Sequence, residues 1–192
     1  LHKAIRRQRQ MCIRDRLSQM TVEEKLGYIG GIDWMYTKSI DRLGIHRMRM
    51  SDGPQGIGTK GKSTAYPATV TLAATWNENL AYQYGKALGR DCRARNINVI
   101  LGPAVNIYRA PMCGRNFEYM GEDPYLTSRI CVGYIKGVQD QGVMATVKHF
   151  VANNSDYDRN NISNDIDERT LNEIYFPAYK AVSYTHLRAH ET

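Results

Sequence analysis

Apolar positions change period several times along the chain, and each change marks an element. Thr21-Val22-Glu23-Glu24 is a capping box, in which the Thr hydroxyl and the Glu carboxylate satisfy each other's backbone donors. A short helix is predicted from there to Gly30-Gly31. Residues 41–45 read as a connector and 47–51 as a short strand, closed by the breakers Asp52-Gly53-Pro54-Gln55-Gly56. Asn77 opens a second helix with Ala81, Tyr84, Leu88 and Cys92 on one face, ending near Asn96. Residues 97–101 predict a second strand, and Gly102-Pro103 ends it. A long polar loop then runs through Arg109 and Gly114 to Glu122. Asp123-Pro124 starts a third helix, an acidic cap followed by proline at the first helical position. Leu126, Ile130, Tyr134 and Val138 share its buried face, and Gly142 ends it. An apolar, β-branched third strand is predicted over 143–150. Asp167 caps a last helix with Leu171, Ile174, Ala178 and Val182 facing inward and a kink at Pro177.

Strand, loop and helix alternate, and the polar motifs follow the strands. That is the layout of a parallel α/β fold, whose ligands bind at the carboxyl ends of the strands. Three strands are visible, whereas a (β/α)8 barrel takes about 250 residues. The fold class read from the sequence is therefore α/β, the first half of a (β/α)8 TIM-like barrel, incomplete.

Composition changes this picture at the two ends. Residues 1–16 hold six Lys or Arg against Asp15, and 183–192 hold Arg188 against Glu191. Both ends resemble translated adapter sequence, so the expected organisation is a basic tail over 1–16, a partial barrel domain over 17–182 and a second tail over 183–192. The formal charge is +7, yet without the two ends 19 basic and 17 acidic residues remain, a net of +2. A nucleic-acid footprint needs basic residues clustered on one face, and the body of the chain offers none. No apolar run is long enough to span a membrane, and none follows the basic N-terminus as a signal peptide requires. Cys12, Cys92, Cys113 and Cys131 lack the spacing of a zinc site or a disulfide framework and read as reduced thiols. No metal or cofactor is implied.

Three motifs after strands carry candidate chemistry. They are Ser51-Asp52-Gly53-Pro54, Gly114-Arg115-Asn116-Phe117-Glu118-Tyr119, and Lys148-His149-Phe150 reaching on to Arg159. Two cations and an imidazole at the end of a buried strand need partners, because burying a charge is costly unless it is paired. A sugar with acidic neighbours supplies them, since Asp accepts from adjacent hydroxyls while Arg, Lys and His donate. Taken alone, the third motif fits equally well with Lys148 and Arg159 at a solvated rim and His149 in the core.

The motifs in this order resemble the N-terminal domain of glycoside hydrolase family 3, in its β-glucosidase branch. Pro67-Ala-Thr-Val-Thr-Leu-Ala-Ala-Thr-Trp76, Leu101-Gly-Pro-Ala-Val-Asn-Ile-Tyr-Arg109 and Asp167-Glu-Arg-Thr-Leu171 add to the likeness, which runs from about Leu17 to Val182. Val151-Ala152-Asn153-Asn154 after Lys-His-Phe departs from the N-acetylglucosaminidase branch, and Asp52-Gly53-Pro54 favours glucosidase over xylosidase specificity. The resemblance implies that Asp52, Arg115, Lys148, His149 and Arg159 bind the terminal sugar of a β-glucoside in the −1 subsite. Adjacent residues of a regular strand point to opposite faces. If Lys148 and His149 both face the sugar, the backbone departs from regularity there through a bulge or a non-proline cis bond.

The family's retaining hydrolysis uses an Asp in a Ser-Asp-Trp-like motif as nucleophile and an acid/base in a following domain, and neither motif occurs here. Asp156, Asp158 and Asp165 read as solvated or turn-forming, Glu118 as support behind the sugar contacts, and Glu122-Asp123 as support and helix cap. The expectation is a fragment of a retaining β-glucosidase, inactive and prone to association by itself. The alternative is a non-catalytic sugar-binding remnant of the same fold.

Overall fold

The computed structural model describes residues 2–58 and 61–184. The chain divides into two compact units, one running to Arg49 and the other starting at Met50. From residue 185 on, the expected second tail lies outside the described residues.

In the first unit, residues set aside as a tail form helix α1 (His2–Gln19), followed by α2 (Val22–Gly30). Arg, Gln, Leu and Met are good helix formers, so the backbone coils without an apolar face. Met11, Ile13 and Leu17 are accordingly exposed. The capping box at α2 forms as expected, with Glu24 N donating to Thr21 Oγ1 at 3.2 Å and Thr21 N donating to Glu24 Oε2 at 2.9 Å. Arg42 clasps the same Glu24 through Nε at 2.7 Å.

The second unit is built on three parallel strands in the order β1 (Met50–Asp52), β2 (Val99–Leu101) and β3 (Met144–Ala145). Ser51 pairs with Ile100, and Ile100 with Ala145. The first strand begins later than the sequence suggests, because Arg49 bridges to Tyr36 and Arg47 stacks 3.9 Å from the same ring. Asp52, expected in the loop, is instead the last residue of the strand. The third strand is shorter than expected. Pro103 has no N–H to give the ladder, so pairing breaks after Ala145 and resumes as a bridge between Ala104 and Lys148.

Helices α3 (Thr69–Ala73), α4 (Glu78–Ala94) and α5 (Pro124–Gln139) complete the layer with the final helical segment. Asn77 and Asp123 cap α4 and α5 through their side chains, as their positions in the sequence predict. Ala81, Tyr84, Leu88 and Cys92 of α4 are buried, and so are Ile130, Tyr134 and Val138 of α5. On α5, burial extends beyond the one stripe expected, to Thr127, Cys131, Val132 and Ile135. The helix lies between α4 on one side and the last helix on the other.

Close approach of α4 to α5 depends on small residues. A Cβ on Gly85 would sit 2.0 Å from the Tyr134 carbonyl oxygen, and one on Gly137 2.1 Å from that of Tyr82. The last segment runs as α6 (Glu168–Thr170), a π turn (Leu171–Tyr175) and α7 (Phe176–Tyr184). The kink expected at Pro177 takes the form of this π turn, in which the Phe176 N–H reaches back to the Leu171 carbonyl. The widened turn brings Tyr175 inward with Leu171 and Ile174, against Ile107 and Ala152. Ala178 and Val182 join the main core.

Candidate active site

The carboxyl ends of the three strands point their following loops at one place. After β1 the chain turns tightly on glycine. Gly53 has φ 138°, and a Cβ there would lie 1.5 Å from the Gly56 carbonyl oxygen. Only glycine tolerates both conditions. The Gly58 N–H closes the loop on the Asp52 carbonyl at 2.8 Å. The hydroxyls of Tyr84 and Tyr134, from α4 and α5, each lie 3.2 Å from the Pro54 carbonyl oxygen. Core packing thereby reaches the loop that follows Asp52.

The loop after β2 ends in a 3₁₀ turn (Asn116–Glu118), anchored from below by Thr69 Oγ1, which donates to the Glu118 carbonyl at 2.7 Å. Gln55 Nε2 donates to the Phe117 carbonyl and ties this turn to the loop after β1. Glu118 is the hub of the site. Its side chain is 2% exposed, with Lys148 Nζ 3.1 Å from Oε2 and the guanidinium of Arg115 paired to Oε1. Lys148 Nζ also lies 3.6 Å from Asp52 Oδ1. The Asp52 carboxylate is 59% exposed and faces outward.

The Lys148–His149 peptide bond is cis, and both side chains meet this cluster. His149 Nε2 is 2.9 Å from Arg115 Nη2 and its Nδ1 is 3.2 Å from the Tyr119 hydroxyl. Burial holds the imidazole pKa down to about 4, and the cations of Arg115, Lys148 and Arg159 add to this against the opposing pull of Glu118. The ring is therefore neutral at neutral pH. Burial raises the pKa of the Tyr119 hydroxyl, which stays protonated.

Of the five residues singled out in the sequence, Asp52, Arg115, Lys148 and His149 come together. Arg159 arrives through Asp156, whose Oδ1 is 2.8 Å from Arg159 Nη1 and 3.8 Å from Arg115 Nη1. The reading of Asp156 as solvated or turn-forming missed this contact: the side chain is 34% exposed, and its carboxylate bridges two arginines. The hydrogen bond from Arg159 lowers its pKa. Asp158 does shape a turn, accepting from Asn161 Nδ2 at 2.7 Å. Tyr119 escaped sequence reasoning altogether, since a tyrosine beside a loop glutamate carries no pattern of its own. Among the described residues no group of three or more His, Cys, Asp or Glu side chains converges as a metal ion would require.

Comparison with known proteins bears on this arrangement. The family described as the glycosyl hydrolase family 3 N-terminal domain matches residues 22–186. A β-glucosidase of Bacteroides ovatus is 48% identical over 184 residues, covering 88% of this chain and 24% of its own length. The thermostable β-glucosidase B of Acetivibrio thermocellus is 45% identical over 176 residues, covering 85% of this chain and 23% of its own. Among solved structures, a β-glucosidase of Streptomyces venezuelae in complex with D-glucose superposes with a TM-score of 0.83 at 43% identity, covering 88% of this chain and 23% of its own. The chain thus spans about a quarter of the length of these relatives.

Proposed function

The chain belongs to the glycosyl hydrolase family 3 N-terminal domain family, and on that premise we propose that it is the sugar-holding part of a retaining β-glucosidase acting on terminal non-reducing β-D-glucosyl residues. The observation that carries this reading is the meeting of Asp52, Arg115, Lys148 and His149 around Glu118 at the carboxyl ends of parallel strands. The exposed Asp52 carboxylate accepts from adjacent sugar hydroxyls, and Lys148 and Arg115 donate to their neighbours. Arg159, held by Asp156, completes the −1 subsite.

Retaining hydrolysis requires a carboxylate to attack the anomeric carbon and an acid to protonate the departing oxygen. Water then resolves the glycosyl-enzyme. Every carboxylate in the cradle is already engaged: Asp52 with Lys148, Glu118 with Lys148 and Arg115, Asp156 with both arginines. The nucleophile and the acid/base are therefore assigned to protein outside these 192 residues, and this chain by itself holds sugar without cleaving it. The leaving group is not specified by the cradle, which reads only the glucosyl ring.

The test is hydrolysis of an aryl β-glucoside by the full-length gene product. Asp52→Asn removes one charged acceptor, so KM rises roughly 10- to 100-fold. An unsubstituted full-length protein that neither hydrolyses the glucoside nor binds glucose would overturn the reading. Glucose binding without turnover would identify the protein as a non-catalytic sugar binder.

A further inference from the structure

We infer that Tyr175 is a positioning residue of the sugar cradle: the π turn at Leu171–Tyr175 carries its hydroxyl to the Asn154 side chain, and this clamp aims the loop that bears Asp156 and Arg159. The inference rests on the glucose-subsite reading above and goes beyond it, because it gives the last helical segment a part in sugar binding.

The loop needs a clamp. Residues 152–167 contain neither helix nor strand, so no regular ladder of backbone hydrogen bonds fixes where Arg159 points. At the start of the loop Ala152 sits in the left-handed region, at φ 66°. A non-glycine residue keeps that conformation only where its surroundings impose it, and Ala152 is buried in one cluster with Ile107 and Tyr175. A chain of side-chain amides follows. Asn106 Nδ2 lies 3.1 Å from the Asn153 carbonyl oxygen and 3.2 Å from Asn154 Oδ1. A carbonyl only accepts, so Asn106 presents its nitrogen to the loop and Asn154 turns its oxygen toward that nitrogen. The Asn154 nitrogen is left facing the Tyr175 hydroxyl, 2.6 Å away, and donates to it. Asn154 is thus gripped at both ends, by the loop after β2 and by the last helical segment.

The consequence falls on the outer part of the loop. Tyr175 is 2% exposed and belongs to the core, whereas Arg159 is 51% and Asp156 34% exposed. Asp156 comes two residues after Asn154 and lies over the loop after β2, where a Cβ on Gly114 would stand 3.6 Å from its own Cβ. Its Oδ1 is 2.8 Å from Arg159 Nη1 and 3.8 Å from Arg115 Nη1. The inner end of the loop is the buried anchor, and the end that meets the sugar hangs from it. Single π turns inside helices occur frequently at functional sites, and this one supplies the anchor.

The experiment measures glucose affinity of the full-length gene product by calorimetry, with thermal unfolding to show that each variant is folded. Tyr175→Phe removes the acceptor and keeps the ring. It should weaken glucose binding roughly 3- to 10-fold, because an unclamped loop spends less of its time in the binding arrangement. In an Arg159→Ala background the same deletion should change affinity by less than about 2-fold, since the loop then carries no sugar contact of its own. In an Asp52→Asn background the full effect should persist, because Asp52 belongs to another loop; a general loss of structure would act equally in both. Asn154→Ala opens the clamp from its other side and should reproduce both results, which covers a Tyr175→Phe that does not fold. Hydrogen exchange over residues 153–160 should quicken in Tyr175→Phe and stay as it is over α4. Unchanged affinity, unchanged exchange in the loop, or an undiminished effect in the Arg159→Ala background each overturns the inference. A wild type that binds no glucose sinks the glucosidase reading and this role with it, whereas a wild type that binds glucose beside an unaffected Tyr175→Phe sinks the role of Tyr175 alone.

Discussion

The ammonium of Lys148 stands 3.1 Å from Oε2 of Glu118, and the other oxygen of that carboxylate carries Arg115. One buried anion therefore holds two cations that come from loops after different strands. Removing it strands both charges where water reaches them poorly, Lys148 being 13% and Arg115 19% exposed. Glu118→Gln should cost about 3 kcal/mol of stability, the loss expected when one partner of a buried pair is deleted. Urea unfolding measures it, and an unchanged midpoint would show that the pair contributes little.

Acid should act through His149. Its pKa of about 4 in the folded chain lies below the unfolded value of about 6.5. Between those pH values the unfolded chain binds the extra proton, so stability is lost as pH falls through this window and is regained above it. Arg115, Lys148 and Arg159 hold the ring neutral, while Glu118 opposes them and Asp156 lies near enough to feel its charge. His149→Gln should flatten the stability profile between pH 6.5 and about 4. An NMR titration placing the His149 midpoint near 6.5 would contradict the burial argument.

Glycine substitution should separate helix contact from helix propensity. Gly85→Ala forces a methyl to within 2.0 Å of the Tyr134 carbonyl oxygen, so α4 and α5 must part. A loss of more than about 2 kcal/mol is expected. Gly30→Ala, at the end of α2 with nothing within 4 Å of the added carbon, should be neutral or stabilising by up to about 1 kcal/mol. Equal thermal shifts for the two variants would argue against close helix contact.

Thiol reactivity should follow burial. Cys12 is exposed, whereas Cys92, Cys113 and Cys131 are buried, and burial pushes the Cys92 and Cys131 thiols up to about 12. Iodoacetamide under native conditions should modify Cys12 alone, and the other three only after denaturation. Peptide mass spectrometry reads the result, and fast labelling of Cys131 would mean that the contact of α5 with its neighbours opens readily.

Local rules determined much of this protein from its sequence. The capping box at Thr21, the caps at Asn77 and Asp123, and the buried stripes of α4 and α5 depend on neighbours within four residues, and they appear where the pattern places them. The parallel order of strands, and with it a common end for Asp52, Arg115, Lys148 and His149, follows from alternating strand and helix. The tertiary structure alone decided the rest. Which residues of a short strand pair depends on a partner far along the chain, so β1 shifts to include Asp52 and β3 yields to Pro103. The π turn at Leu171–Tyr175 sets a register that a regular helical stripe cannot express, and it turns Tyr175 into the core. Glu118, Asp156 and Tyr119 draw their roles from charges and ring nitrogens 30 or more positions away, or on another loop. Periodicity records what a residue's neighbours along the chain require, while the partner of a buried charge is fixed only when distant loops close on one another.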